Sequence, residues 1–288
     1  MPSNITELID LLDLEMIEDN LFRGKQPKTE LQRVFGGQVA AHALVAASRT
    51  VPEPFVVHSL HSYFLRPGDT SVPIVYDVEK LRDGRSFVTR RVLARQHGHP
   101  IFAMTLNFQI PEDGLEHQDV MPEVPGPDES IPLGDIFSAR NHDASEWERE
   151  WAALDVRYAG NSRPGGELPN DKEPARARLW IRTNGDLPDS PLQHAAAFTY
   201  SSDMTLIGAS LVPHNLFVSS PNMQAASLDH TIWFHRPFAA DQWWLYDQHS
   251  PVAHGGRGLI TAKVFTPDGT LVASVAQEGL IRVRPTGA

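Results

Sequence analysis

The sequence predicts an α+β fold made of two similar halves, because one segment occurs twice. Residues 63–67 read Tyr-Phe-Leu-Arg-Pro, and residues 233–237 read Trp-Phe-His-Arg-Pro, 170 positions later. The same shift lays residues 102–107 over residues 272–277. Each copy also has a nearly all-apolar helical stretch followed by alternating, β-rich runs. Self-similarity at a fixed spacing indicates repeated architecture, so we expect each half to be one buried helix against an antiparallel sheet.

Composition excludes several classes of protein. The 288 residues are 41% hydrophobic and 21% charged, and no apolar run approaches the roughly 20 residues that span a membrane. The absence of cysteine removes disulfides, thiolate catalysis and cysteine metal sites. A formal net charge of −11 argues against nucleic-acid binding, which needs cationic groups to displace counterions. We expect no nucleic-acid partner and no membrane insertion.

The two ends of the sequence bear on location. The first residues lack the basic start and apolar block of a secretory signal, and the last residues lack the Ser-Lys-Leu ending that directs proteins to peroxisomes. A chain without cysteine is also suited to a reducing compartment. We therefore expect a cytoplasmic protein.

The first half is predicted to contain two helices and four strands. Residues 4–14 carry apolar side chains at the spacing of an amphipathic helix. Residues 39–49, after Gly36-Gly37, are mainly alanine and aliphatic, as in a helix buried on most sides. The expected strands and turns are, in order, 56–66, 72–81, Asp83-Gly84, 86–96, His97-Gly98 and 100–110.

A proline-rich stretch separates the halves. Residues 111–135 contain five prolines interleaved with acids and glycine, which favours an extended linker. We expect an N-terminal unit at 1–110, a linker at 111–150 and a C-terminal unit at 151–288. The linker is expected to end in a short helix around 144–150.

The second half repeats the order of elements found in the first. Its apolar helix is predicted at 195–209 and ends before Val212-Pro213, as the first ends before Val51-Pro52. A turn is expected at Pro267-Asp268-Gly269. The predicted strands are 154–158, 178–183, 227–236, 243–249, 257–266 and 270–283.

The positions at which the halves differ are the candidates for chemistry. Aligning the helices by their Val-Pro ends sets Asp203 opposite His42. The 170-residue shift sets Ser227 opposite Val57 and Gln277 opposite Asn107, so the second half alone gathers an acid, a hydroxyl and an amide. A carboxylate among apolar helix residues is costly without partners, and Gln277 shares a strand face with apolar residues that should cover this helix. Each of the three could instead be a satisfied buried polar residue, but their convergence favours a site.

Segments along nearly the whole chain resemble the type II acyl-CoA thioesterases, the double hot-dog family. In that family each unit is an antiparallel sheet wrapped around one long helix, and the two units form one continuous sheet. The resemblance places the catalytic Asp, hydroxyl and Gln at Asp203, Ser227 and Gln277, where Ser227 replaces an expected Thr. The matching segments are 33–38, 58–69, 76–79, 81–87, 180–182, 229–230, 233–238 and 277–279.

The resemblance implies hydrolysis of fatty acyl-CoA to free fatty acid and coenzyme A by an activated water, without a cofactor. Asp203 would act as base or orienter, with Ser227 and Gln277 holding the water or the carboxylate. Backbone N–H groups at a helix start would stabilise the oxyanion. Gly36-Gly37 fits such close approach, and equally fits a tight start of the helix. The resemblance also implies a homodimer or homotetramer.

The sequence lacks the motifs of several other classes of enzyme. The sequence has no G-x-S-x-G elbow, G-x-G-x-x-G or P-loop motif. Short histidine pairs such as His58 with His61 and His230 with His235 lack the spacing of a zinc site, so no metal is expected. The alternatives that stay open are an enoyl-CoA hydratase or dehydratase, because hot-dog folds host that chemistry too, and a non-catalytic acyl-CoA binding protein.

Overall fold

A computed structural model describes residues 1–139, 144–160, 175–220 and 222–284. It confirms the predicted double hot-dog, with a curved antiparallel sheet enclosing helices in each half. The described helices are α1 Ile5–Leu12, α2 Gly36–Ser48, α3 Leu133–Ala139, α4 Ala144–Glu150, α5 Pro191–Ser202 and α6 Leu206–Leu211. The strands of the first half are β1 Glu15–Glu18, β2 Leu21–Gly24, β3 Val56–Phe64, β4 Ile74–Asp83, β5 Phe87–Gln96 and β6 His99–Gln109. Those that follow are β7 Ile131–Pro132, β8 Leu154–Gly160, β9 Ala175–Thr183, β10 Met223–Ser227, β11 Asp229–Phe234, β12 Trp244–His254, β13 Arg257–Phe265 and β14 Leu271–Val283.

One sheet runs through both halves of the described chain. Its strand order is β1-β2-β4-β5-β6-β3-β11-β14-β13-β12-β9-β8-β7, and β10 pairs with β14 outside this path. The halves join where β3 and β11 run antiparallel, with Leu60 opposite Ile232. Both of these side chains are fully buried, so the seam between the halves is part of the core.

The α2 helix is buried on most sides because most of its residues are alanine or aliphatic. Ala40, Ala43 and Leu44 have no exposed surface, and the concave side of β3 to β6 covers them. Small alanine side chains on the remaining face allow α5 of the second half to pack closely against α2. The two central helices therefore lie side by side inside the continuous sheet.

The second apolar helix is shorter than predicted. The sequence indicated one helix over 195–209, but α5 ends at Ser202 and α6 begins at Leu206. The hydroxyl of Ser201 donates to the carbonyl of Ala197, Ser202 Oγ lies 2.9 Å from the carbonyl of Thr199, and Asp203 is the residue that ends α5. Serine, aspartate and threonine compete for backbone hydrogen bonds, which explains a break that apolar periodicity did not reveal.

The linker residues lie against the outer face of the second half. Trp180 Nε1 donates to the carbonyl of Pro125 over 2.8 Å, and Gln118 Nε2 donates to the carbonyl of Gly269 over 2.8 Å. No helix or strand occurs over 111–126, whereas 131–150 contain β7, α3 and the predicted helix α4. Within the described ranges, no helix is long and apolar enough to cross a membrane. Residues 285–288, which enter the expectation about location, fall outside the described residues.

Candidate active site

Asp203, Ser227 and Gln277 meet at one point in the structure. Ser227 Oγ donates to Asp203 Oδ1 over 2.8 Å, and Gln277 Nε2 donates to the same oxygen over 2.6 Å. The three side chains come from the break after α5, the end of β10 and the middle of β14. The expected convergence of an acid, a hydroxyl and an amide is therefore present, and both neutral groups act as donors to the carboxylate.

The position of Gln277 follows from strand alternation. Ala273, Val275 and Gln277 are all buried, so they share the face of β14 that is turned toward the helices. This matches the prediction that an amide is aimed at the helix that bears Asp203.

The position of Ser227 depends on a β-bulge that the sequence did not reveal. The predicted strand 227–236 is divided at Leu228, because β10 pairs with β14 one residue out of register with β11. His230 and Ile232 are fully buried on β11, so plain alternation would turn Ser227 to the outer face. The extra residue at the bulge reverses that alternation and lets the hydroxyl reach Asp203.

Burial sets the charge behaviour of Asp203. It raises the pKa of this carboxyl to about 6 from an ordinary value of 3.8, although hydrogen bonds from Ser227, Gln277 and the backbone of Gly37 act in the opposite direction. A carboxyl with this pKa is mainly ionised at neutral pH and still basic enough to accept a proton. The arrangement is suited to proton transfer from a bound water.

The first half contributes its helix start to the same point. A Cβ added to Gly36 would lie 2.5 Å from Asp203 Oδ2, and one on Gly37 would lie 2.1 Å from the carbonyl oxygen of Tyr200. Both predictions for Gly36-Gly37 therefore agree with the structure, since α2 begins at Gly36 and the backbone there is closely approached by Asp203 and Tyr200. The α2 helix has no side-chain cap at Phe35, and the backbone N–H of Gly37 in its first turn donates to the Asp203 carboxyl.

The corresponding residues of the first half have structural partners. His42 Nε2 donates to the carbonyl of Leu11 over 2.7 Å, and its Nδ1 accepts from the Tyr76 hydroxyl at 3.1 Å. Asn107 accepts from His58 and donates to Thr89, both over 3.1 Å. Among the described residues, no group of three or more His, Cys, Asp or Glu side chains is placed to hold a metal ion.

One buried polar residue next to the site was not predicted from the sequence. His230 has no exposed surface, and its Nε2 lies 2.8 Å from Ser202 Oγ. It also lies near Gln277, because the adjoining residues Thr231 and Ala276 are partners across β11 and β14. The sequence showed it only as one member of a short histidine pair, and no local pattern connects it to residue 277.

Comparison with known proteins identifies the family. Acyl-CoA thioesterase 2 of Haemophilus influenzae is 41% identical over 288 residues, which cover 98% of this chain and 99% of that protein. The chain belongs to the acyl-CoA thioesterase family. Residues 153–280 match the family model described as acyl-CoA thioesterase, and residues 26–109 match its N-terminal domain. The family predicted from the sequence is confirmed.

Two further members of the acyl-CoA thioesterase family show the same full-length correspondence. Human acyl-coenzyme A thioesterase 8 is 38% identical, over 96% of this chain and 88% of that protein. The crystal structure of acyl-CoA thioesterase II TesB2 from Mycobacterium marinum is 44% identical and covers 97% of this chain and 99% of its own, with a TM-score of 0.82. The similarity therefore includes both halves and the segment between them.

Proposed function

We propose that the protein hydrolyses fatty acyl-CoA thioesters to free fatty acid and coenzyme A, with a water activated by Asp203 as nucleophile. The observation that carries this proposal is a buried carboxylate with a near-neutral pKa, held by Ser227 and Gln277 beside an uncapped helix start. Thioester hydrolysis without a thiolate needs these two things, a base for the water and donors for the oxyanion.

The proposed reaction runs in two proton-balanced steps. Asp203 accepts a proton from water as the water oxygen bonds to the thioester carbon, and the carbonyl π electrons move to the oxygen. The backbone N–H of Gly36, at the start of α2, stabilises that oxyanion, because the N–H of Gly37 already donates to Asp203. When the carbonyl re-forms, the C–S bond breaks and protonated Asp203 returns its proton to the leaving sulfur.

Ser227 and Gln277 are proposed to orient rather than to attack. Both donate to Asp203 Oδ1, which leaves Oδ2 as the oxygen turned toward Gly36 and toward the bound water. A carboxylate held in this way loses less entropy when the water is aligned. Ser227 supplies the same hydroxyl as threonine with a freer rotamer.

Thiol release measured across a range of acyl-CoA chain lengths tests this function. Hydrolysis liberates the thiol of coenzyme A, which a disulfide reagent detects. Hydration of an enoyl-CoA and simple binding both leave the thioester intact. Absence of thiol release above the uncatalysed rate with every acyl-CoA tested would overturn the proposal and favour one of those two alternatives.

We also propose that the protein forms homodimers or homotetramers and works in the cytoplasm. The outer face of the central strands supports self-association, because Tyr63 on β3 and Trp233 on β11 are 64% and 38% exposed there. Light scattering of the wild type and of Trp233→Glu tests the assembly, with a smaller mass expected for the variant. A monomeric wild type would contradict it.

The proposed cytoplasmic location is supported by the absence of cysteine, which suits a reducing compartment. Cell fractionation tests this location.

A further inference from the structure

His230 lies behind the site rather than in it. It is fully buried on β11, and its Nε2 is 2.8 Å from Ser202 Oγ, on the residue that precedes Asp203. The Ser202 hydroxyl is also 2.9 Å from the carbonyl of Thr199, in the last turn of α5. The Tyr246 hydroxyl donates to the carbonyl of Ser202 over 3.0 Å, so this corner of the site is fixed from two strands.

Two buried polar atoms at this corner lack a close and well-aligned partner. They are His230 Nδ1 and Gln277 Oε1. The two residues are neighbours across the sheet, because Thr231 pairs with Ala276 and the adjoining residues His230 and Gln277 are both buried. Unpaired buried polar atoms are rare and costly, so each of these atoms is the natural partner of the other.

The protonation of His230 follows from its burial. Desolvation lowers the pKa of the imidazole to about 4, so the ring is neutral in the working range of the site. A neutral imidazole has one donor nitrogen and one acceptor nitrogen. The Ser202 hydroxyl has one proton and two acceptors within reach, the carbonyl of Thr199 at 2.9 Å and His230 Nε2 at 2.8 Å. Donation to Nε2 leaves the ring proton on Nδ1, and of the two arrangements only this one offers a donor to the buried oxygen of Gln277.

We propose that His230 is a positioning residue whose Nδ1–H donates to Gln277 Oε1 and thereby fixes the orientation of the Gln277 amide. The orientation matters because only the NH₂ end of the amide can donate to Asp203. A flipped amide would place its oxygen against the Asp203 carboxylate, where two acceptors repel each other. His230 thus acts on the reaction through Gln277, and this inference rests on the proposed function.

The test compares kcat for His230→Leu, which removes both ring nitrogens, with His230→Gln, which keeps one donor and one acceptor. We expect His230→Leu to lower kcat roughly 5- to 100-fold, the rate equivalent of one lost buried hydrogen bond, with KM little changed. His230→Gln should recover part of the loss.

His42→Leu is the matched control, because His42 is an equally buried histidine of the first half whose pKa is also lowered to about 4. It should reduce the free energy of unfolding and leave kcat within about 3-fold.

A double-mutant cycle separates a positioning role from general damage to the core. In the Gln277→Ala background, His230→Leu should change kcat by less than about 3-fold, since its effect passes through Gln277. An equal loss in both backgrounds overturns the proposal, and so does an equal loss in His42→Leu.

The tautomer of His230 gives a readout that does not depend on activity. Nitrogen-15 NMR of the histidine side chains should show His230 protonated on Nδ1 in the wild type. A ring protonated on Nε2 overturns the proposal even if the protein is an active thioesterase. An inactive wild type with the Nδ1–H tautomer instead overturns the proposed function while leaving the contact between His230 and Gln277 supported.

Discussion

The carboxylate of Asp203, in the second half of the chain, lies against Gly36 in the first half. A Cβ at position 36 would be 2.5 Å from Asp203 Oδ2 and 2.8 Å from the Phe64 ring. Neither half alone therefore contains the whole candidate site. The second half supplies the acid, the hydroxyl and the amide, and the first half supplies an uncapped helix start.

Gly36→Ala is expected to impair catalysis because the new methyl group must displace Asp203 or Phe64. A small shift in a positioned reacting group costs on the order of 10²-fold in rate, so we expect kcat/KM for thiol release to fall by about that factor. Gly208→Ala is the matched control, because a Cβ on this helical glycine of α6 meets nothing within 4 Å. It should leave kcat/KM unchanged and slightly stabilise the helix. Equal activity of the two variants would contradict the role of close approach.

Ionisation of Asp203 should govern the acidic limb of the pH–rate profile. The base form is the carboxylate, and burial raises its pKa to about 6. The value of kcat/KM is therefore expected to increase with pH through about 6 and then level off. Asp203→Asn should remove this limb and lower kcat by about 10²- to 10⁴-fold, with an unchanged circular dichroism spectrum. A folded Asp203→Asn variant with near-normal turnover would refute the assignment of the base.

The same carboxyl should weaken the folded state as the pH increases. A pKa raised in the folded state means that the native protein binds more protons than the unfolded chain between pH 3.8 and about 6. The stabilisation is complete below that window and is lost as pH passes through it. Relative to wild type, Asp203→Asn should therefore gain roughly 2 to 3 kcal/mol in the free energy of unfolding between pH 4 and pH 7. Urea titrations at the two pH values check this, and an equal difference at both would contradict it.

Ser227 should be replaceable by threonine but not by alanine. Ser227→Ala removes one of the two side-chain donors to Asp203 Oδ1, and we expect kcat to fall roughly 5- to 100-fold. Ser227→Thr keeps the hydroxyl and adds a methyl group that restricts its rotamer, so its kcat should equal or exceed that of the wild type. Steady-state kinetics with one acyl-CoA compares the three proteins. Full activity of Ser227→Ala would show that the hydroxyl does not orient the base.

Gln277 and Asn107 occupy corresponding positions and should respond differently to truncation. Gln277→Ala leaves Asp203 with one side-chain donor and should lower kcat about 10²-fold. Asn107→Ala removes hydrogen bonds to His58 and Thr89, which lie in the first half, so thiol release should stay within about 3-fold of wild type. If Asn107→Ala were the more damaging change, the chemistry would belong to the first half.

Local pattern was sufficient for most of the fold. Strands β3 to β6 and β13 to β14 lie within a few residues of the predicted bounds, because alternation and turn residues are local properties. The turn at residues 97–98 is an example, since His97 and Gly98 both adopt positive φ, of 50° and 77°. The helix predicted at 195–209 was wrong in its continuity, because the break at Asp203 depends on side-chain hydrogen bonds that periodicity does not report.

The sequence by itself determined the duplication, the alternation of strands and the positions where the halves diverge, because each of these is a relation between residue types at fixed spacing. Tertiary structure alone decided how those positions meet. The bulge at Leu228 turns Ser227 inward, the packing of α2 against α5 brings Gly36 to Asp203, and strand pairing sets His230 beside Gln277. These are contacts between distant segments, and their geometry is fixed by sheet register and helix packing rather than by any local run of residues.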